Sequence, residues 1–393
     1  MSNKSLFPLL IVMVIFSPLA IDIFLPALPI MATDLGGSMS QVQWSISAFI
    51  LSMGFGQLVS GPLADRYGRK PVAIVGIVIY GFAAVATSLA NTIEWHLIAR
   101  LVQGFGACAI AVAAFSCVRD RYDAIQSGVM YSYLNGAICC IPALAPILGD
   151  VLTVNFGWRS NFEFIGAYAV IGGVLVAAFL KETRPAHTEQ HKQLVSFKRY
   201  WPIFKHPVFL FNSILVMLAM GIIIAYVSSS PAWLMVELGL SQSAFVFWFS
   251  INAAINIAAC FLAPQILKRW GPRFTTGVAM LTLIGAGILI VALLGWHHPL
   301  AYMMPVMMSS LGFSLLMGTC SGQALAPFGE KAGTASALLG FMQMAGAAVI
   351  VFLVQLLPIN AAEQLGLLML CVTPVFLLWM LPSVKKRITL DAA

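Results

Sequence analysis

Apolar runs of membrane-crossing length, separated by short polar breaks, follow one another along the chain. Those long enough to span a bilayer are 6–31, 43–63, 71–90, 94–118, 129–152, 162–180, 208–236, 243–267, 274–295, 299–327, 333–357 and 363–382. The runs are continuous and do not alternate, which predicts helices and excludes the strands of a barrel. A single long stretch is polar, 181–207 (KETRPAHTEQHKQLVSFKRYWPIFKHP). It divides the chain into a half at 1–180, a solvated linker, and a half at 208–393. The expected fold is an all-α membrane protein with twelve transmembrane helices in two pseudo-symmetric six-helix halves. The halves rhyme: Arg66-Tyr67-Gly68-Arg69-Lys70 follows the second span and Arg269-Trp270-Gly271-Pro272-Arg273 follows the eighth. A repeated half is how many transporters are built, with the substrate between the halves.

The first run, Leu6 to Met31, carries one charge, Asp22. As a single helix it reaches about 39 Å, and Asp22 lies roughly 14 Å from its outer end. A carboxylate at that depth is costly and is expected to face a partner or a wet cavity. Pro18, Asp22 and Pro26 share one helical face. The run is too long and too weakly flanked for a signal peptide and is expected as a mature spanning helix. The matching cation is Arg100 in the fourth span. It cannot lose its proton, so when buried it needs a partner. It lies about 8–10 Å from the outer end of its own helix, nearly the depth of Asp22. A direct or water-linked contact between them is expected, the alternative being that Arg100 snorkels to the surface.

Composition changes the picture in three ways. Of 393 residues, 60% are hydrophobic and 9% charged, which excludes a soluble globular domain. With the N-terminus inside, every Lys and Arg except Arg100 and Arg159 falls on the cytoplasmic side, which places both termini there. The net charge of +7 therefore orients the chain and implies no nucleic-acid partner. The seven cysteines lie in apolar runs without CxxC spacing and read as small core residues. His96, His297 and His298 sit in or beside short loops, and His187, His191 and His206 in the polar stretch. No metal-ligand or nucleophile constellation appears, so an enzyme is not expected. No GxxxxGK[ST] loop is present, so nucleotide is not the expected energy source, and no cofactor is expected.

Several motifs carry a family resemblance. Gly61-Pro62-Leu63-Ala64-Asp65-Arg66-Tyr67-Gly68-Arg69-Lys70-Pro71 resembles the signature loop between helices 2 and 3 of the major facilitator superfamily. The resemblance implies a conformational clamp made by Asp65, Arg66 and Arg69, with Gly61 and Gly68 permitting a tight turn and close helix approach. Leu97 to Gly106 (LIARLVQGFG) resembles the fourth-helix motif, whose buried arginine is linked to proton transfer. Asn135 to Asp150 (NGAICCIPALAPILGD) resembles the fifth-helix motif of drug–proton antiporters. Pro146 and Gly149 match it, whereas Ile141, Ala145 and Asp150 depart from it. Pro142 and Pro146 share a face and imply a hinge helix. Asp150 reads as a polar residue at the outer end, pairing with Arg159. The stretch Ile21 to Pro29, Lys181-Glu182-Thr183-Arg184-Pro185, and the regions 321–328 and 332–340 are similar to the Bcr/CflA group of drug exporters.

That resemblance implies proton-driven export of hydrophobic, chloramphenicol-like drugs from a bacterial inner membrane, with Asp22 and Arg100 as the proton-coupling pair. Expected partners are small hydrophobic drugs, protons and the lipid bilayer, and the chain is expected as a monomer. Candidate pocket residues are Phe24, Met53, Gln103, Tyr131, Asn135, Tyr226, Asn252, Asn256 and Gln343. The 19 methionines suit a pliable pocket, although packing alone also explains them. The rival reading is a proton symporter that imports a nutrient.

Overall fold

The computed structural model describes residues 3–122, 124–185 and 197–381. His187, His191 and Lys192 of the polar stretch, and Lys385, Lys386 and Arg387, lie outside the described residues. Among the described residues all regular structure is helical. The chain divides into two compact units, Met1–Val195 and Ser196–Ala393. The first contains α1 (Asn3–Asp22), α2 (Leu28–Asp34), α3 (Met39–Tyr67), α4 (Arg69–Ser88), α5 (Ile93–Arg121), α6 (Ala124–Phe156) and α7 (Arg159–Phe179). The second contains α8 (Phe197–Phe204), α9 (Pro207–Pro231), α10 (Gln242–Ala292), α11 (Pro299–Leu325), α12 (Ala332–Phe341), α13 (Ala347–Gln355), α14 (Ala361–Leu370) and α15 (Val372–Met380).

Local chemistry explains where helices begin. Ser38 accepts from the Gln41 N–H while the Gln41 side chain accepts from the Ser38 N–H, a reciprocal cap that starts α3. Asn360 and Glu363 do the same for α14. Thr92 and Ser241 cap α5 and α10. Large apolar side chains cover the outside, with Phe82 76% and Phe261 69% exposed. Water would oppose such a surface and lipid favours it.

Among the described residues eleven helical stretches are long and apolar enough to cross a membrane, where the sequence predicts twelve spans. The difference lies in α10, whose 51 residues include both 243–267 and 274–295. A straight helix of that length would reach about 77 Å, more than two bilayer cores. The run is broken at Gly271, which has φ 73° and ψ 168°. The first expected span is also not one unbroken helix. α1 ends at Asp22, Ile23 and Phe24 leave the helix, Leu25–Ala27 form a tight 3-10 turn, and α2 resumes at Leu28. Pro26 is the cause: it has no N–H for the carbonyl of Asp22, four residues earlier, and its ring crowds that carbonyl.

In the first unit α3 and α4 both pack on α5, and α7 packs on α4. α1 lies against α5, α6 and α7. Tyr80 of α4 and Tyr168 of α7 donate to the Phe16 and Val12 carbonyls, tying both helices to α1. α6 continues through Pro142 and Pro146, and Gly149 meets the break in α1. A side chain at Gly149 would overlap the Ile23 carbonyl, so only glycine allows this approach. The polar stretch is shorter than expected at both ends. Glu182, Thr183 and Arg184 bond into the first unit, and α8 forms at the other end. In the second unit α11 packs on α10 and α9, and α14 packs on α10 and α9.

Candidate functional site

The break in α1 creates a polar site inside the first unit. The last carbonyls of a helix have no partner within it, and the C-terminal end of the helix dipole is negative. Arg100, fully buried on α5, supplies that end of α1 with a cation. Its Nη2 donates to the Ala20 carbonyl at 3.0 Å, and its Nη1 donates to Gln103 Oε1 at 2.5 Å. The rings of Phe49, Phe24 and Phe162 surround the guanidinium, with centroids 4.5, 4.9 and 5.9 Å from Cζ. Aromatic faces attract a desolvated cation. Arg100 does not snorkel.

Asp22 is the last residue of α1 and 3% exposed. α1 and α5 pack together, and of the direct or water-linked contact expected between Asp22 and Arg100 the direct ion pair is not formed. Ion pairs among the described residues are Arg69–Asp65, Arg69–Asp120 and Arg159–Asp34. Arg100 instead bonds the backbone two residues before Asp22, because the break leaves a carbonyl there to be satisfied. Asp22 therefore sits at the negative end of a helix dipole, a position that opposes its own charge.

Arg159 takes Asp34 at 3.8 Å as its acid, where Asp150 was expected. It also donates to the Ala90 carbonyl, and Trp158 Nε1 donates to Asp34 Oδ2 at 2.9 Å. His96 sits beside the short loop before Ile93, as expected, but inside the helix that follows. It lies on α5 one turn from Arg100 and is fully buried.

The signature loop forms a second polar cluster. Gly68 turns the chain between α3 and α4 with φ 106° and ψ 162°. Arg69 bonds Asp65 at 2.6 Å, Asp120 Oδ2 at 2.8 Å and Asp120 Oδ1 at 3.4 Å. Thr183 donates to Asp120 at 3.2 Å, and Arg184 donates to the Asp65 and Arg66 carbonyls. The carboxylate of Glu182 accepts from the backbone N–H groups of Arg69, Lys70, Thr183 and Arg184. Burial pushes the Glu182 carboxyl up, and those four donors outweigh it, holding the group below the ordinary glutamate range.

The Arg66 side chain and Gly61 take no part in this cluster, which holds Arg66 through its carbonyl alone. Arg66 lies over the Tyr67 ring at 5.4 Å, and a side chain at Gly61 would meet open space. Asp120 and Glu182 were missed by sequence reasoning. Their signals were present: an acid flanked by Arg119 and Arg121, and the acid of the KETRP segment.

The candidate pocket residues are divided between the two units. Phe24 and Gln103 belong to the Arg100 cage. Met53 accepts from Ser17 Oγ at 3.4 Å, and Tyr131 donates to the Phe115 carbonyl at 3.3 Å. Asn135 is exposed. In the second unit Tyr226 stacks on Phe249 with centroids 5.4 Å apart. Asn252 accepts from Ser310 at 3.0 Å, and Asn256 from Cys260 at 3.5 Å. Gln343 lies half-buried in the widened helical turn Met342–Gly346.

Comparison with known proteins places this geometry. The sequence profile of the Major Facilitator Superfamily matches residues 10–351. Multidrug resistance protein MdtL of Klebsiella pneumoniae (strain 342) is 33% identical over 365 residues, 91% of each chain. The MdtL protein of Salmonella paratyphi A (strain ATCC 9150 / SARB42) is 31% identical over 363 residues, 91% of this chain and 90% of that relative. A crystal structure of a D-xylose–proton symporter matches with a TM-score of 0.79 at 13% identity, covering 99% of this chain and 100% of that one. An inward-facing, unoccupied bacterial homologue of the human lysosomal transporter Spinster gives 0.77 at 16% identity, with full coverage of both. At these identities the two structures show a shared fold alone.

Proposed function

The chain belongs to the major facilitator superfamily, and on that premise we propose that this multi-pass membrane transporter exports hydrophobic drugs in exchange for protons. The membrane is the bacterial inner membrane, the drugs are chloramphenicol-like, and alternating access carries them across. One observation carries the reading. Asp22 is a buried acid within an apolar span, and it ends the broken helix that Arg100 caps. Similarity to proteins named for multidrug resistance supports the direction and the cargo.

Asp22 is the proton carrier in this proposal. Protonated, it is neutral, and Arg100 keeps Ala20 and Gln103 as its partners. Ionised, it competes with the Ala20 carbonyl for the guanidinium, because a carboxylate is the stronger acceptor. The shift of Arg100 between these partners loosens or restores the cap on α1, whose broken segment packs directly on Gly149 of α6. Binding of a proton and of a drug then compete through one element.

The test is drug susceptibility in a sensitive bacterial host, with and without the gene. The wild-type protein is expected to raise chloramphenicol tolerance, and a protonophore to raise accumulation of the labelled drug. Asp22→Asn should abolish both effects. No protection by the wild type would remove the export reading and favour import. Full protection by Asp22→Asn would remove the assignment of the proton site.

A further inference from the structure

His96 has no role in the function proposed above, yet it is buried as completely as Arg100. Neither of its ring nitrogens has a hydrogen-bond partner. A buried polar atom left unpaired is destabilising, a cost that leucine or phenylalanine at this site would avoid. A packing role therefore does not explain a histidine here.

Its surroundings connect two polar places. The ring lies edge-on to Phe162, with centroids 5.5 Å apart, and to Trp158 at 6.3 Å. Phe162 is also a wall of the Arg100 cage. Trp158 donates to Asp34, whose side chain is 46% exposed. The axial positions agree. Arg100 is level with Ala20 through their hydrogen bond. His96 is one turn, about 6 Å, nearer the Asp34 end, and Asp22 is about 3 Å from Ala20 in the same direction. Asp22 and His96 thus both lie toward the Asp34 end from that hydrogen bond. Other charged groups on the surrounding elements are Glu94 on the same helix, Asp34 at the end of α2, Asp150 on α6, and Arg159 and Glu163 on α7. Glu94 and Glu163 are exposed.

We propose that His96 is a proton relay between the Asp34 end of the first unit and Asp22. One ring nitrogen takes a proton from water arriving beside Trp158, forming the imidazolium. The other nitrogen gives up its proton to the Asp22 carboxylate, leaving neutral imidazole and a carboxylic acid. The fixed charge of Arg100 one turn away repels the imidazolium, so His96 passes the proton on and does not store it. This relay rests on the proton-coupled reading of Asp22.

The experiment uses the full-length protein in proteoliposomes, with labelled chloramphenicol and a pH-sensitive dye. Wild type should show drug-driven proton movement. If it shows none, the proton-coupled reading itself falls, before any variant is compared, and the relay with it. His96→Gln should slow proton-driven transport about tenfold or more and flatten its dependence on pH. Drug–drug exchange without a gradient should stay at the wild-type rate, which a merely structural defect would lower. His96→Phe fills the same aromatic surroundings without a titratable group. It should melt at or above the wild-type temperature and show the same loss. Wild-type rate and pH profile in either variant would overturn the relay while leaving Asp22 in place.

Discussion

The turn at Gly68 in the first unit and the turn at Gly271 in the second have nearly the same backbone, at φ 106°, ψ 162° and φ 73°, ψ 168°. Their surroundings are opposite. A methyl group at Gly68 would run into the Glu182 carboxylate, while one at Gly271 would meet nothing within 4 Å. The residue after Gly68 is Arg69, whose orphan N–H at the start of α4 is taken by Glu182. The residue after Gly271 is Pro272, which has no N–H to satisfy. Three residues before each glycine stand Asp65 and Lys268, opposite in charge. One turn meets its hydrogen-bonding demand with a network of charges, and the other removes the demand. A reversal between helices needs the glycine, and in the first unit the Arg69, Asp120 and Glu182 network is built around it.

Substitutions at matched positions test this contrast, and the largest effect belongs to Arg69. Its side chain is 2% exposed and the Asp120 side chain 4%, so Arg69→Ala strands a buried acid. It should cost about 3–5 kcal/mol, read as a large drop in melting temperature of the detergent-purified protein. Pro272→Ala, at the matched position of the other turn, should cost less than about 1 kcal/mol. Equal losses would mean that the two turns do not differ as described.

The glycines come next. Gly271→Ala forces only a strained backbone, about 1–2 kcal/mol. Gly68→Ala adds displacement of Glu182 and should reach about 2–3 kcal/mol. A smaller change follows from Glu182→Gln, about 1 kcal/mol near neutral pH. Because the Glu182 carboxyl is held below its ordinary range, its contribution is complete above the unfolded value and is lost as pH falls through the folded one. Wild-type melting temperature should therefore fall between about pH 5 and 3 more steeply than that of Glu182→Gln. Parallel curves would show that the cage does not act through charge. The smallest effect is the graft. Lys268→Asp with Pro272→Arg rebuilds an exposed pair four residues apart, without partners for Asp120 and Glu182, and should stay within about 0.5 kcal/mol of wild type.

How much of this was legible follows the range of the interactions. The glycine turn, the pair Asp65 and Arg69, and the caps of α3 and α14 join residues a few positions apart, and periodicity and residue type reveal them. Pro26 could have revealed the break at Asp22, since its effect on the carbonyl four residues earlier is local. Asp120 and Glu182 reach Arg69 across 51 and 113 residues, and no spacing in the chain encodes that. The gap between Asp34 and Arg159 is of the same kind.

The apolar runs determined by themselves that the chain is helical and built for a bilayer, because hydrophobic length and backbone satisfaction leave no other structure in lipid. They also determined that Asp22 and Arg100 lie at comparable depths, since rise per residue is constant. Only the tertiary structure decided what those charges touch. A helix end offers carbonyls as well as a carboxylate, and three aromatic rings from α3, α7 and the α1 break close around the cation. Arg100 therefore binds the backbone beside Asp22 and not its side chain.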